Sequence, residues 1–158
     1  MRLPWRRSRA EHIPRYDPGR ERRAERKARE LMRSIVAPAE YEMYEDLGFI
    51  AVEGRESGSG YAYLLYPHRP IVAYATSSGE LLNEYCVAFR DDSDPAFGDR
   101  LPDADDVLAK WMSLRSGERN LIARANMHVP GRQLDPDQVR RDLHMLRGWR
   151  SRRTATSP

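Results

Sequence analysis

Cys86 is the single thiol of this 158-residue chain, and His12, His68, His128 and His144 are the imidazoles that could activate it. A cysteine becomes a nucleophile when a base within hydrogen-bond reach draws off its proton. None of the four histidines neighbours Cys86 in sequence, so such a pair exists only if the fold assembles it. The plainer expectation is structural, because a free cysteine in an apolar strand behaves as a small hydrophobe. His68 sits in Pro67-His68-Arg69-Pro70, where a solvated turn residue is expected. No two histidines stand at ligand spacing, and one cysteine cannot supply the thiolate pairs of a zinc site.

Hard cations need clustered oxygens, and Asp91, Asp92, Asp94, Asp99, Asp103, Asp105 and Asp106 crowd one stretch. Their spacing departs from the calcium-loop pattern and no acid fills its twelfth position. A solvated acidic loop running into a charged helix start is expected instead. Phosphate cradles are absent too: Ser57-Gly58-Ser59-Gly60 joins two strands, so no helix N-terminus follows it. The sequence thus predicts no catalytic residue, no metal and no cofactor.

Charge is the second chemical signal. Residues 1–30 carry a net +6, residues 31–110 a net −9 and residues 111–158 a net +6. Basic ends around an acidic middle suit a polyanion, or they fold back on the middle. The arginines placed to meet nucleic acid are Arg6, Arg7 and Arg9 in an arm, Arg20, Arg22, Arg23 and Arg26 on a helix, and Arg147, Arg150, Arg152 and Arg153 at the C-terminal end. Arginine outnumbers lysine 25 to 2, a bias that a GC-rich genome produces as readily as selection for phosphate. Seven tyrosines between Tyr41 and Tyr85 suggest a stacking platform, but the acids around them repel a phosphate backbone, so core and contact roles are expected. No apolar run approaches membrane-span length, and no secretion signal opens the chain. A lone cysteine fits a reducing compartment, so a cytoplasmic location is expected.

These side chains must be positioned by four apolar runs between Phe49 and Arg90, cut apart by Gly, Ser and Pro, the pattern of an antiparallel meander. Strands are predicted over Phe49–Glu53, Tyr61–Tyr66, Ile71–Thr76 and Leu82–Arg90. The second is apolar or aromatic on both faces, which means a covered central strand or an exposed aromatic face. Before the meander lie a helix from Arg20 and a second from Pro38 to a stop at Gly48. After it come a helix from Asp103, broken at Ser116-Gly117, and a last helix opened by Asp135-Pro136 and ended by Gly148. The fold class is α+β: a small antiparallel sheet of three to four strands with flanking helices packed on one face. The organisation is a flexible basic arm over 1–19, an α+β domain over 20–128, a C-terminal helix over 129–147 and a disordered basic tail over 148–158.

Gly48-Phe49, Cys86, Pro102, Asp105, Leu108-Ala109 and Ala125-Asn126 follow one order: helix, glycine-phenylalanine step into a strand, cysteine near the end of a meander, proline-aspartate helix start. In this, residues 27–127 resemble an uncharacterised small helix–sheet–helix domain of bacterial and phage proteins. The resemblance implies a fold unit and no assigned activity. Together these features predict a non-enzymatic accessory or adaptor protein. Its acidic core would contact a protein partner and its Arg-rich ends nucleic acid, on a ribonucleoprotein or phage-related assembly, with self-association as a further outcome. The alternative is a small hydrolase-like enzyme using Cys86 with a histidine.

Overall fold

The computed structural model describes residues 17–55, 60–89 and 100–157. Helix α1 (Arg20–Ile35) follows a turn in which the Asp17 carboxylate accepts the Gly19 N–H and pairs with Arg23. Its thin apolar stripe buries Ala28 and Met32 and leaves Leu31 and Ile35 exposed. Helix α2 (Pro38–Leu47) starts on proline, which gives up no needed donor at that position. The Glu40 carboxylate reaches back to the Ala37 N–H (3.2 Å), satisfying one free donor of the first turn. Gly48 ends the helix at φ 82°, in the left-handed region that glycine enters without strain.

Strands β1 (Ile50–Glu53), β2 (Tyr61–Leu65), β3 (Ile71–Ala75) and β4 (Leu81–Cys86) then run as the predicted meander. Helix α3 (Asp103–Arg124) leads to β5 (Asn126–His128), and α4 (Pro136–Thr156) ends the described chain. The sheet is antiparallel in the order β1-β2-β3-β4-β5. Gly117 breaks the α3 backbone at φ −172°, ψ 68°, where the sequence places a break. Asp135 caps α4 by accepting the Asp137 N–H.

Opposed residues share a face and neighbours alternate, so β1, β2 and β3 each feed two cores. Ile50, Val52, Tyr63, Leu65, Ile71, Ala73 and Tyr85 pack under α1 and α3. Ala51, Ala62, Leu64, Val72 and Tyr74 pack under α4, through Val139, Leu143, Leu146 and Trp149. Helices therefore cover both faces of the sheet, and the expected one-face packing is corrected. The two-sided apolar pattern of β2 is that of a covered central strand.

The expected three to four strands are likewise corrected to five. β5 has three residues and no alternation of its own; its pairing to β4 makes it a strand. Helix α4 does not stop at Gly148, and residues 148–156 are helical rather than a disordered tail. A helical glycine costs about 1 kcal/mol against alanine. Tertiary contacts offset it: Trp149 is buried with its Nε1–H on Asp46 Oδ2 (2.7 Å), and Arg153 pairs with Glu42 and lies over the Trp149 ring.

Candidate functional site

Five carboxylates turned inward organise the interior. Glu118 accepts the phenols of Tyr61 and Tyr63, both at 2.7 Å, and the Arg55 N–H at 2.8 Å. Asp142 accepts Tyr66 Oη–H (2.7 Å), and Glu25 accepts Tyr44 Oη–H (3.3 Å) and the Ala104 N–H of α3's first turn (3.1 Å). Burial pushes the phenols of Tyr44, Tyr63, Tyr66 and Tyr74 above their ordinary value, and neighbouring carboxylates add to it. The tyrosines are thus internal ties, and no stacking platform forms from them.

The other two carboxylates shape a cleft. Asp106 is 4% exposed and Lys110 1% exposed, and their pair sits behind the β2–β3 turn. Lys110 Nζ donates to Asp106 Oδ2 (2.6 Å), Tyr66 O (2.7 Å) and Arg69 O (2.9 Å). Asp106 Oδ2 also accepts the His68 N–H (2.8 Å). Desolvation pushes the Lys110 ammonium below its ordinary value, with the Asp106 contact opposing. Within this cage His68 adopts φ 56°, the one non-glycine positive φ among the described residues. Its Nε2 lies 2.9 Å from Asp103 Oδ1 but out of line for a hydrogen bond.

Glu84, 2% exposed on β4, holds the opposite wall. It accepts the N–H groups of Gly131 (2.9 Å), Gln133 (3.0 Å) and Leu134 (3.3 Å). That loop sets Gln133 Nε2 2.9 Å from Cys86 Sγ. Between the walls lies a cavity of about 220 Å³, lined by His68, Arg69, Pro70 and Asp106, by Cys86 and Gln133, and by Val87, Ala88 and Phe89 just past β4. Cys86 is therefore a half-buried cleft residue and not a sealed core residue. His68, expected to be a solvated turn residue, is tied down on the same cleft. His144 is exposed on α4, and His12 lies outside the described residues.

The arginines expected to meet nucleic acid are not brought to one surface. Arg6, Arg7 and Arg9 lie outside the described residues. Arg20, Arg22, Arg23 and Arg26 are on α1, on one face of the sheet, and Arg147, Arg150, Arg152 and Arg153 on α4, on the other. Arg23 is engaged by Asp17, Arg150 by Tyr74 and Arg153 by Glu42. The acids of α2 are engaged as well. Glu40 takes Trp111 Nε1–H (2.7 Å) and Arg115, Glu42 takes Arg153, Glu45 takes Tyr41 Oη–H, and Asp46 takes Trp149. Trp111 thus ties α3 to α2.

Lys110, Glu84, Arg69 and Gln133 were not marked by sequence patterns, and Asp106 was marked only as a member of the acidic stretch. One signal was present: Asp106 and Lys110 stand four apart on an otherwise apolar helix face, and Lys110 is one of two lysines in the chain. Among the described residues, no group of three or more His, Cys, Asp or Glu side chains could hold a metal ion, and no helix is long and apolar enough to cross a membrane. No family model matches the chain, and no curated protein or solved structure does either.

Proposed function

We propose that the chain is a non-enzymatic accessory protein of the cytoplasm that works by contact, its arginine-bearing ends meeting nucleic acid. The observation that carries this is the set Arg22, Arg26, Arg147 and Arg152: exposed, on regular helices, and without a carboxylate partner among the described residues. Guanidinium groups held on a helix meet phosphate with less ordering cost than groups on a loose chain. A protein partner fits the acids left at the surface, Glu53 and Glu80, which the strand register places at one end of the sheet. A ribonucleoprotein or phage-related assembly would present both kinds of surface.

Titrating the full chain against labelled duplex RNA and DNA at about 50 and about 200 mM salt tests this. Weak binding that falls steeply with salt is expected. The Arg147→Gln/Arg152→Gln double substitution should lower the salt slope by about 2, since each phosphate contact contributes about 0.9. Absence of binding at the lower salt, or binding indifferent to salt, contradicts the proposal.

A small hydrolase-like enzyme using Cys86 with a histidine is the second reading, favoured because Cys86 and His68 line one cleft. Against it, Cys86 Sγ faces the Gln133 amide and His68 Nε2 faces Asp103. Release of p-nitrophenolate from p-nitrophenyl acetate by the full chain, abolished in Cys86→Ser, would favour the enzyme over the contact protein.

A further inference from the structure

A turn between two strands ordinarily asks only for a residue that tolerates positive φ, and glycine supplies it. The β2–β3 turn instead places His68 at φ 56° and fixes it with a buried lysine and a buried aspartate. Buried ions are expensive to desolvate, and backbone strain persists only where its surroundings over-determine it. What this arrangement fixes is the position of His68 and Arg69 on the wall of the cleft, opposite Cys86. The opposite wall is fixed in the same way, by Glu84 under Gln133.

Charge then selects the ligand. Asp106 is neutralised by Lys110, and Asp103 lies against His68. Among the described residues, Arg69 is the one Arg or Lys side chain lining the cleft, it is exposed, and it has no carboxylate partner. A guanidinium fork matches a carboxylate by two parallel hydrogen bonds. The apolar part of the wall, Pro70, Val87 and Phe89, offers a seat for a short carbon chain. At about 220 Å³ the cavity is below the range of drug-sized pockets. We infer that this cleft binds a small organic carboxylate, with Arg69 holding the carboxylate and Cys86 and Gln133 facing the body of the molecule.

The chain's single cysteine makes the test direct, because alkylation of Cys86 is read as one mass increment on the intact protein. Iodoacetate carries a carboxylate and iodoacetamide does not, and both transfer their carbon to sulfur with loss of iodide. The ratio of the two rates is measured on the folded chain and on the same chain in urea. Folding should raise the iodoacetate-to-iodoacetamide ratio by about tenfold, the size of one charge-assisted contact. Arg69→Gln should return it to the unfolded value, and Arg69→Lys should restore part of it. The Arg69 side chain is exposed and its carbonyl keeps the Lys110 contact, so circular dichroism of these variants should match the parent. Benzoate should slow alkylation by both reagents in the parent and not in Arg69→Gln. A ratio unchanged by folding, a ratio unaltered in Arg69→Gln, or a folded thiol inert to both reagents overturns the assignment.

Discussion

Two hairpin turns of one sheet solve the same problem by opposite means. Between β3 and β4 the chain runs Thr76-Ser77-Ser78-Gly79, exposed apart from the half-buried Gly79, at φ 73°. Its ties are uncharged backbone hydrogen bonds: the Gly79 N–H donates to Ala75 O (2.8 Å), the Ala75 N–H to Glu80 O (2.8 Å) and the Thr76 N–H to Gly60 O (2.9 Å). Between β2 and β3 no glycine is present, and His68 takes the left-handed conformation under a buried lysine–aspartate pair. The first turn closes its hairpin with uncharged groups. The second spends two buried charges from α3, some forty residues away, on holding two side chains beside Cys86. Local rules are broken at a compensated site, and such sites are where function is sought.

The largest break in this comparison should come from Asp106→Ala, which leaves the Lys110 ammonium buried without its counter-charge. A loss of about 3–5 kcal/mol is expected by chemical denaturation. Ser78→Ala in the other turn should change stability by less than about 0.5 kcal/mol. Equal effects of the two substitutions would erase the distinction.

Gly79→Ala comes next, at about 1–2 kcal/mol, because alanine is strained at positive φ. His68→Gly removes that strain but also the imidazole beside Asp103, so a net change under about 1 kcal/mol is expected in the same measurement. A large loss in His68→Gly would mean that the imidazole, and not the ion pair, fixes the turn.

Alkali probes the interior ties that surround the pinned turn. Tyr44, Tyr63, Tyr66 and Tyr74 are held neutral above the ordinary phenol value of 10.0. Above that pH the unfolded chain releases protons that the folded chain keeps, so stability falls as pH rises, by up to about 1.4 kcal/mol per pH unit for each phenol. Lys110 has the opposite sign. Its value is lowered, so the folded chain deprotonates first and stability rises between that lowered value and the ordinary lysine value of 10.5. Above about pH 10 the four phenols outweigh the single lysine, and Tyr66→Phe should flatten the decline by one phenol's share. A flat stability profile from pH 9 to about 11.5 would contradict buried, neutral phenols.

Much of this architecture was legible in the residues themselves. Pro38 and Gly48 bracket α2, Gly117 breaks α3, Asp135-Pro136 opens α4, and the apolar runs mark four strands. The two-sided pattern of β2 carried the second helical layer, although it admitted an exposed face as well. β5 could not be read, because three residues without alternation become a strand only through pairing with β4. The end of α4 was hidden for the same kind of reason: Trp149 and Arg153 hold the helix past Gly148 through contacts with α2, far away in sequence. The cleft was the least legible part. No sequence pattern singles out Glu84, and only the fold shows Lys110 and Glu84 buried against backbone groups.

Native-state hydrogen exchange tests the central claim, that buried charges fix the β2–β3 turn while the β3–β4 turn is held by uncharged hydrogen bonds. The His68 amide, donated to the buried Asp106 carboxylate, should exchange at least about a hundredfold more slowly, relative to its intrinsic rate, than the amides of exposed Ser77 and Ser78. Comparable protection in the two turns would contradict it.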